Sequence, residues 1–356
     1  MPTDDNNNAG LRQIAHRQAD PAWLAASREE ALEPGLAMID AHHHFSEHWG
    51  GYMPEDLLAD IAGHRIRATV YVQCGWQYRA DGPEVLRPVG ETESVIAATH
   101  DVNLRQRDTR VAAAIVGYAD LRLGEAVDGV LAAQAVAGQG RFRGIRNSGA
   151  FHPEFRHGVL ARPMPRLYAD PAFRRGYACL ERHGLSFDAW IYHTQLEDVL
   201  DLAASFPRIP LILDHVGGLL GVGRYDRRQG AALQEALPWM RRLAQCPNVS
   251  VKLGGLGTAV FGFDFSSRAT PPSSQELAAA WRPFVEPVLE LFGPGRCLFE
   301  SNFPVDRSSA GYGVVWNALK RLASGATAEH KRMLFHDNAA RLYRIDVLEA
   351  PLRTNP

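Results

Sequence analysis

From about residue 36 onward, short runs of β-branched and aromatic residues alternate with stretches whose apolar positions recur every three to four residues. A period near two that gives way to one near 3.6 is the pattern of repeated βα units feeding a parallel sheet. It predicts eight strands, at 36–42, 67–73, 111–117, 141–147, 185–192, 209–214, 248–254 and 296–301. Helices are predicted near 54–63, 91–107, 123–137, 171–182, 195–205, 229–245, 274–292 and 308–323, with a last one near 327–342. Eight parallel strands with right-handed helical crossovers close most economically into a (β/α)8 TIM barrel. A doubly wound open sheet is the alternative, but Gly255-Leu256-Gly257-Thr258-Ala259-Val260 lacks the third glycine of a dinucleotide fingerprint. Neither a P-loop nor a G-x-S-x-G nucleophile elbow occurs.

The barrel is expected over 36–345, preceded by an N-terminal extension, 1–35, and followed by a tail, 346–356. Residues 1–19 are polar and expected to be mobile; Asp20 and Pro21 read as N-cap and first residue of a short helix. The links 74–90, 148–170, 216–228 and 255–273 are long, rich in Gly or Pro, and follow strands, where barrel enzymes build substrate sites.

Composition narrows the chemistry. With 46 % hydrophobic and 22 % charged residues the chain is an ordinary globular one. A formal net charge of -2 gives no general pull toward nucleic acid or anionic lipid, so a small-molecule partner is expected. Cys74, Cys179, Cys246 and Cys297 stand far apart, which excludes a thiolate zinc site or a redox pair of C-x-x-C type. The acidic, polar start lacks the pattern of a secretory signal, and no apolar run approaches the ~18 residues that cross a bilayer. A cytoplasmic location without membrane attachment is expected. The outer helical faces carry no clear apolar seam, and a homo-oligomer stays open.

The fourteen histidines carry the strongest local signal. In Met38-Ile39-Asp40-Ala41-His42-His43-His44 an apolar strand ends in imidazoles, and a period of two puts His42 and His44 on one side and His43 on the other. Two imidazoles on one face can share a metal ion. His193 and His215 follow the fifth and sixth predicted strands and converge on the same mouth if the barrel closes.

Together these residues resemble the amidohydrolase superfamily, in the branch of metal-dependent TIM-barrel hydrolases that includes 2-pyrone-4,6-dicarboxylate and sugar lactonases and, more distantly, decarboxylases. The resemblance spans roughly 36–343 and rests on Asp40-Ala41-His42-His43-His44, Tyr192-His193, Leu213-Asp214-His215-Val216-Gly217, Val251-Lys252-Leu253-Gly254-Gly255-Leu256 and Asn338-Ala339-Ala340-Arg341-Leu342-Tyr343. It implies a divalent ion, commonly zinc, on His42, His44 and His193, with His215 across the substrate. One departure stands out: where the family usually has G-[ST]-D-x-P, this chain reads Glu300-Ser301-Asn302-Phe303-Pro304. An amide is a poor ligand and no base, so a metal-independent site is the other expectation.

Alternation places Glu300 and Asn302 on one side of strand eight, so a carboxylate could have moved rather than vanished. The structural alternative is a buried Lys252–Glu300 ion pair, with His215 or Asp306 left as proton acceptor. Arg146 is the expected carboxylate anchor, and Gln73, Trp76, Tyr78 and Lys252 are expected to line the pocket and meet the substrate. The function expected is hydrolysis of a lactone or related cyclic ester, of a small carboxylated compound, by activated water. Two alternatives are a non-oxidative decarboxylase on the same scaffold and a barrel that only binds its ligand.

Overall fold

A computed structural model of the chain describes residues 12–14, 20–47, 50–106, 108–157 and 164–346. Most of the segment expected to be mobile, 1–19, and all of the tail beyond Asp346 lie outside the described residues.

Eight parallel strands follow one another in chain order: β1 Met38–His43, β2 Ile66–Val72, β3 Arg110–Gly117, β4 Phe142–Arg146, β5 Ser186–Ala189, β6 Leu211–Leu213, β7 Val249–Lys252 and β8 Cys297–Leu298. Each pairs with the next, and a main helix follows each strand: α1 Pro54–Asp60, α2 Val89–Ala98, α3 Asp128–Ala137, α4 Pro171–Arg182, α5 Leu196–Ser205, α6 Gln229–Leu243, α7 Ser274–Phe292 and α8 Tyr312–Leu322. The expected α/β barrel is therefore present. Its long loops follow β2, β4, β6 and β7, so they gather at the C-terminal mouth.

The closing seam is unusual in its chemistry. β8 is only two residues long, and the chain beyond Leu298 reaches β1 through single contacts. His43 bridges Phe303 in parallel, His44 N–H donates to Phe303 O at 2.7 Å, and Asn302 N–H donates to His42 O at 2.9 Å. The buried Asp40 carboxylate supplies the rest of the seam: it accepts from Ser301 N–H at 2.9 Å, Ser301 Oγ at 2.6 Å and Tyr312 OH at 3.0 Å. An acidic side chain thus takes the place of missing ladder bonds.

Apolar residues of β1 to β3, among them Ile39, Ala41, Val70, Val72 and Val116, form a cluster with Leu298 that packs on Ala339, Tyr343 and Ile345 of the C-terminal segment. The larger core lies between the strands and the outer helices. The predicted helix 91–107 is divided at Thr99, which begins a second helix, His100–Arg105; the Thr99 hydroxyl bonds back to Val95 O at 2.7 Å. The predicted start at 123 is a 3₁₀ stretch kinked at Gly124, whose φ of 60° and ψ of -140° no helix accepts. Asp20 caps the short helix Pro21–Ala25 as expected, taking Ala22 N–H at 2.8 Å. Arg12–Ile14 pairs in parallel with Phe155–His157 outside the barrel, a pairing that hydrophobic periodicity does not reveal over three residues. Among the described residues no helix is long and apolar enough to cross a membrane.

Candidate active site

Alternation along β1 works as elementary strand geometry requires. His43 turns outward to Thr69 Oγ1 at 2.8 Å and to the rings of Phe45 and Tyr71, where burial holds its pKa down at about 3. His42 and His44 face each other, Nε2 to Nε2, at 3.2 Å. His44 Nδ1 lies 2.7 Å from the carbonyl oxygen of Val72. A carbonyl only accepts, so Nδ1 carries the proton and Nε2 the lone pair. Burial first, and then a neighbouring cation, Lys252 for His42 and Arg146 for His44, push both rings well below the ordinary histidine value.

His215 enters the mouth from a strained turn. His215 and Val216 have φ of 51° and 52°, followed by Gly217 and Gly218 at 73° and 66°. Non-glycine residues in this region cost of order 1–3 kcal/mol each, and the turn directs the imidazole back over the barrel. Gly255 makes room for it, since a Cβ there would lie 2.1 Å from His215 Nδ1. Glu300 then receives the ring: Oε1 sits 2.7 Å from His215 Nδ1, and Oε2 lies 2.9 Å from His42 Nδ1. Burial opposes a charged His215, yet the Glu300 carboxylate, its hydrogen bond and the more distant Asp214 and Asp306 hold the ring above its ordinary pKa.

The structure replaces the expected Lys252–Glu300 ion pair with another. Lys252 Nζ lies 2.6 Å from Asp188 Oδ2 and 3.1 Å from Asp214 Oδ1, and also 3.0 Å from His42 Nδ1. Asp188 on β5 and Asp214 after β6 stand on the side of β7 away from β8, so the ammonium turns to them and leaves Glu300 to the imidazoles. Lys252 stays firmly protonated although burial opposes it; burial lifts Asp188 to about 6. Tyr343 OH donates to the same Asp188 oxygen at 2.8 Å.

Arg146 is buried at the end of β4, with Nη1 3.3 Å from His42 Nε2 and 3.9 Å from Asp214 Oδ2 and Nη2 donating to Gln73 O. Gln73 returns a bond from Nε2 to Arg146 O at 3.3 Å and lines a cavity of about 660 Å³ together with Tyr78. Trp76 packs on Phe45, and its backbone N–H joins those of Cys74 and Gly75 on the buried Glu91 carboxylate, which makes it an anchor of the loop after β2.

Two expected members are not brought to the histidine group. β5 stops at Ala189, four residues short of His193, which lies on a 3₁₀ turn with Nδ1 accepting Leu220 N–H at 3.3 Å and its ring against Tyr225. Its Nε2 is 3.9 Å from Glu235 Oε2, and burial lowers its pKa to about 4. Asn302 has φ of 54°, so strand alternation does not carry from Glu300 to it. Its amide donates instead to Thr258 Oγ1 at 3.0 Å and Asp306 Oδ1 at 2.8 Å. Burial raises Asp306 to about 7. Asp188 and Asp214 were missed as site residues, although an acid between Phe187 and Ala189 in an apolar strand is a legible signal.

The donor set suits a divalent cation. His42, His215 and Glu300 offer ligand atoms within 4.8 Å of one another. Imidazoles on a tetrahedral zinc at about 2.0–2.1 Å stand roughly 3.4 Å apart, close to the 3.2 Å between His42 and His44. Glu300 Oε2 is buried without a hydrogen-bond partner, its approach to His42 being close but poorly aligned.

Comparisons with known proteins show what the chain is similar to. The family model described as Amidohydrolase matches residues 39–345. The uncharacterised protein y4mH of Sinorhizobium fredii is 33 % identical over 83 % of this chain and 86 % of its own length. An L-fucono-1,5-lactonase of Burkholderia multivorans is 28 % identical over 87 % of this chain and 97 % of its own. A crystal structure of an amidohydrolase from Burkholderia multivorans with bound HEPES superposes with a TM-score of 0.66 at 25 % identity, covering 87 % of this chain and all of that one.

Proposed function

The chain belongs to the amidohydrolase family and is a hydrolase, and from that premise we propose that its mouth opens lactone rings by attack of water on the ring carbonyl. The observation that carries this reading is the buried pair of His215 Nδ1 and Glu300 Oε1 at 2.7 Å. A carboxylate that holds one ring nitrogen fixes the tautomer and leaves the other, Nε2, to take a proton from water. The same nitrogen returns that proton to the ring oxygen as the acyl–oxygen bond breaks, so one residue serves both halves of the reaction. Glu300 is the positioning residue that stabilises the imidazolium formed between them.

Arg146 Nη1, beside His42 Nε2, is placed to stabilise negative charge growing on the carbonyl oxygen. His42 and His44, through their facing Nε2 atoms, would hold a divalent ion, zinc being the metal that imidazoles suit best. Such an ion supplies Lewis-acid polarisation of the carbonyl. The lactonase among the relatives supports ring opening as the reaction. A panel of lactones followed with a pH indicator tests it: His215→Asn should lose about 10²–10⁴-fold in kcat/KM while keeping its circular dichroism spectrum. Unchanged turnover in that variant would remove His215 from the mechanism.

A further inference from the structure

His215 rides on four consecutive left-handed residues, His215 to Gly218, with φ of 51°, 52°, 73° and 66°. A turn of this kind persists only where its surroundings over-determine it. Backbone bonds secure its two ends: Gly217 N–H donates to Asp214 O at 3.0 Å, and Gly221 N–H donates to Val260 O, in the loop after β7, at 2.8 Å. Between them Leu220 N–H donates to His193 Nδ1 at 3.3 Å. Among the described residues this is the one hydrogen bond between a side chain and the backbone of 215–221. The Gly218 backbone is a second polar neighbour of the same ring. Gly218 also packs on the segment before His193 so closely that a Cβ there would stand 1.8 Å from Ile191 O.

His193 is itself firmly presented. Its 3₁₀ turn is fixed by Gln195, whose Oε1 accepts Tyr192 N–H and Phe151 N–H, both at 3.1 Å, while its Nε2 donates to Gly149 O. The ring is 3 % exposed and meets Tyr225 in a T-shaped contact, centroids 4.8 Å apart. The Tyr225 hydroxyl donates in turn to Glu235 on α6. The imidazole is therefore wedged between the exit of β5 and the approach to α6, with Nδ1 turned to the strained loop. It stands apart from the ligand atoms gathered within 4.8 Å, which belong to His42, His215 and Glu300.

We propose that His193 is a positioning residue for the base: its Nδ1 holds Leu220 N–H, keeps the left-handed turn in place, and so sets His215 against Glu300. This role takes the place of the metal-ligand role expected of His193. The proposal rests on the lactonase reading for what His215 does once in place, but the holding of the turn needs no turnover. What the bond supplies is orientation. A reacting group misplaced by about 1 Å can cost about 10²-fold in rate.

Two substitutions separate the acceptor from the ring. Asparagine offers an amide oxygen near the place of Nδ1 and loses the ring, whereas phenylalanine keeps the ring and its contact with Tyr225 and loses the acceptor. On the full-length protein, deuterium exchange read by mass spectrometry reports the turn, and steady-state kinetics on a lactone panel reports the base. In His193→Phe the segment 215–221 should exchange about 5- to 10-fold faster, and kcat should fall about 10- to 100-fold with KM little changed. His193→Asn should keep both exchange and kcat within about 3-fold of the unaltered protein. A role in packing alone predicts the reverse order, because asparagine leaves the larger gap. Full kcat in folded His193→Phe, equal losses in both variants, or a fall in kcat without faster exchange at 215–221 overturns the proposal. Should His193→Phe fail to fold, His193→Leu serves as the variant without an acceptor, with the same expected losses. If the unaltered protein opens no lactone, the lactonase reading falls and exchange alone decides: faster exchange without the acceptor but not in His193→Asn sustains the positioning role, and equal exchange in all three proteins overturns it.

Discussion

The Glu300 carboxylate holds His215 through Oε1 at 2.7 Å, while Oε2 lies 2.9 Å from His42 Nδ1 without a hydrogen bond to it. Glu300→Gln keeps the shape and removes the charge that favours a protonated His215. A base must be neutral to work, and His215 sits above its ordinary 6.5, so activity should fall as pH drops through a value above 6.5. In Glu300→Gln that acid limb should move to lower pH, with kcat/KM down by about 10²–10⁴-fold; a pH–rate profile of both proteins reads the shift. Two other buried rings make stability depend on pH. His43 and His193 have folded values of about 3 and about 4 against 6.5 unfolded, so below pH 6.5 the unfolded chain binds more protons. The stability they contribute is present above 6.5 and lost as pH falls toward those folded values. The melting temperature should decline from pH 6.5 to 4, and His43→Gln should flatten that decline.

At the scale of strands, the seam and the buried lysine are where the barrel is most exposed to single changes. Lys252→Met would leave Asp188 and Asp214 buried without their cation. Breaking a buried pair typically costs roughly 3–5 kcal/mol, and urea denaturation should show a loss in that range. Asp40→Ala removes the acceptor of Ser301 N–H, Ser301 Oγ and Tyr312 OH. The Ser301 hydroxyl keeps His42 O at 3.3 Å, and each of the two orphaned donors costs about 1–3 kcal/mol, so a loss of at least about 2 kcal/mol is expected, with hydrogen exchange rising first at the N–H groups of His44 and Asn302 across the seam.

Strand positions were legible because alternation and helical periodicity are local properties. Side-chain directions failed where a strand ended early. β5 stops at Ala189 rather than 192, which takes His193 off the sheet, and β8 stops at Leu298, so the left-handed Asn302 escapes the alternation that Glu300 suggested. Pairing among buried charges was not legible either: Lys252 has acids on both sides, and only the packed barrel shows that it takes Asp188 and Asp214.

Over the whole molecule, residues from β1, β4, β6, β7 and the start of the closing segment meet at one mouth. A barrel achieves this because every strand ends at the same face. Loops that follow β2, β3 and β4 add a cavity of about 660 Å³ to that mouth. The central claim, that water opens a lactone at the group formed by His215 and Glu300, is tested most directly by turning over a lactone in isotopically labelled heavy-oxygen water. The product is read by mass spectrometry and NMR for the unaltered protein and for Glu300→Gln. The account predicts one labelled oxygen in the new carboxylate, one proton released per ring opened, no carbon dioxide, and little product from the variant. Release of carbon dioxide, label in the hydroxyl group instead of the carboxylate, or full turnover by a folded Glu300→Gln protein would contradict it.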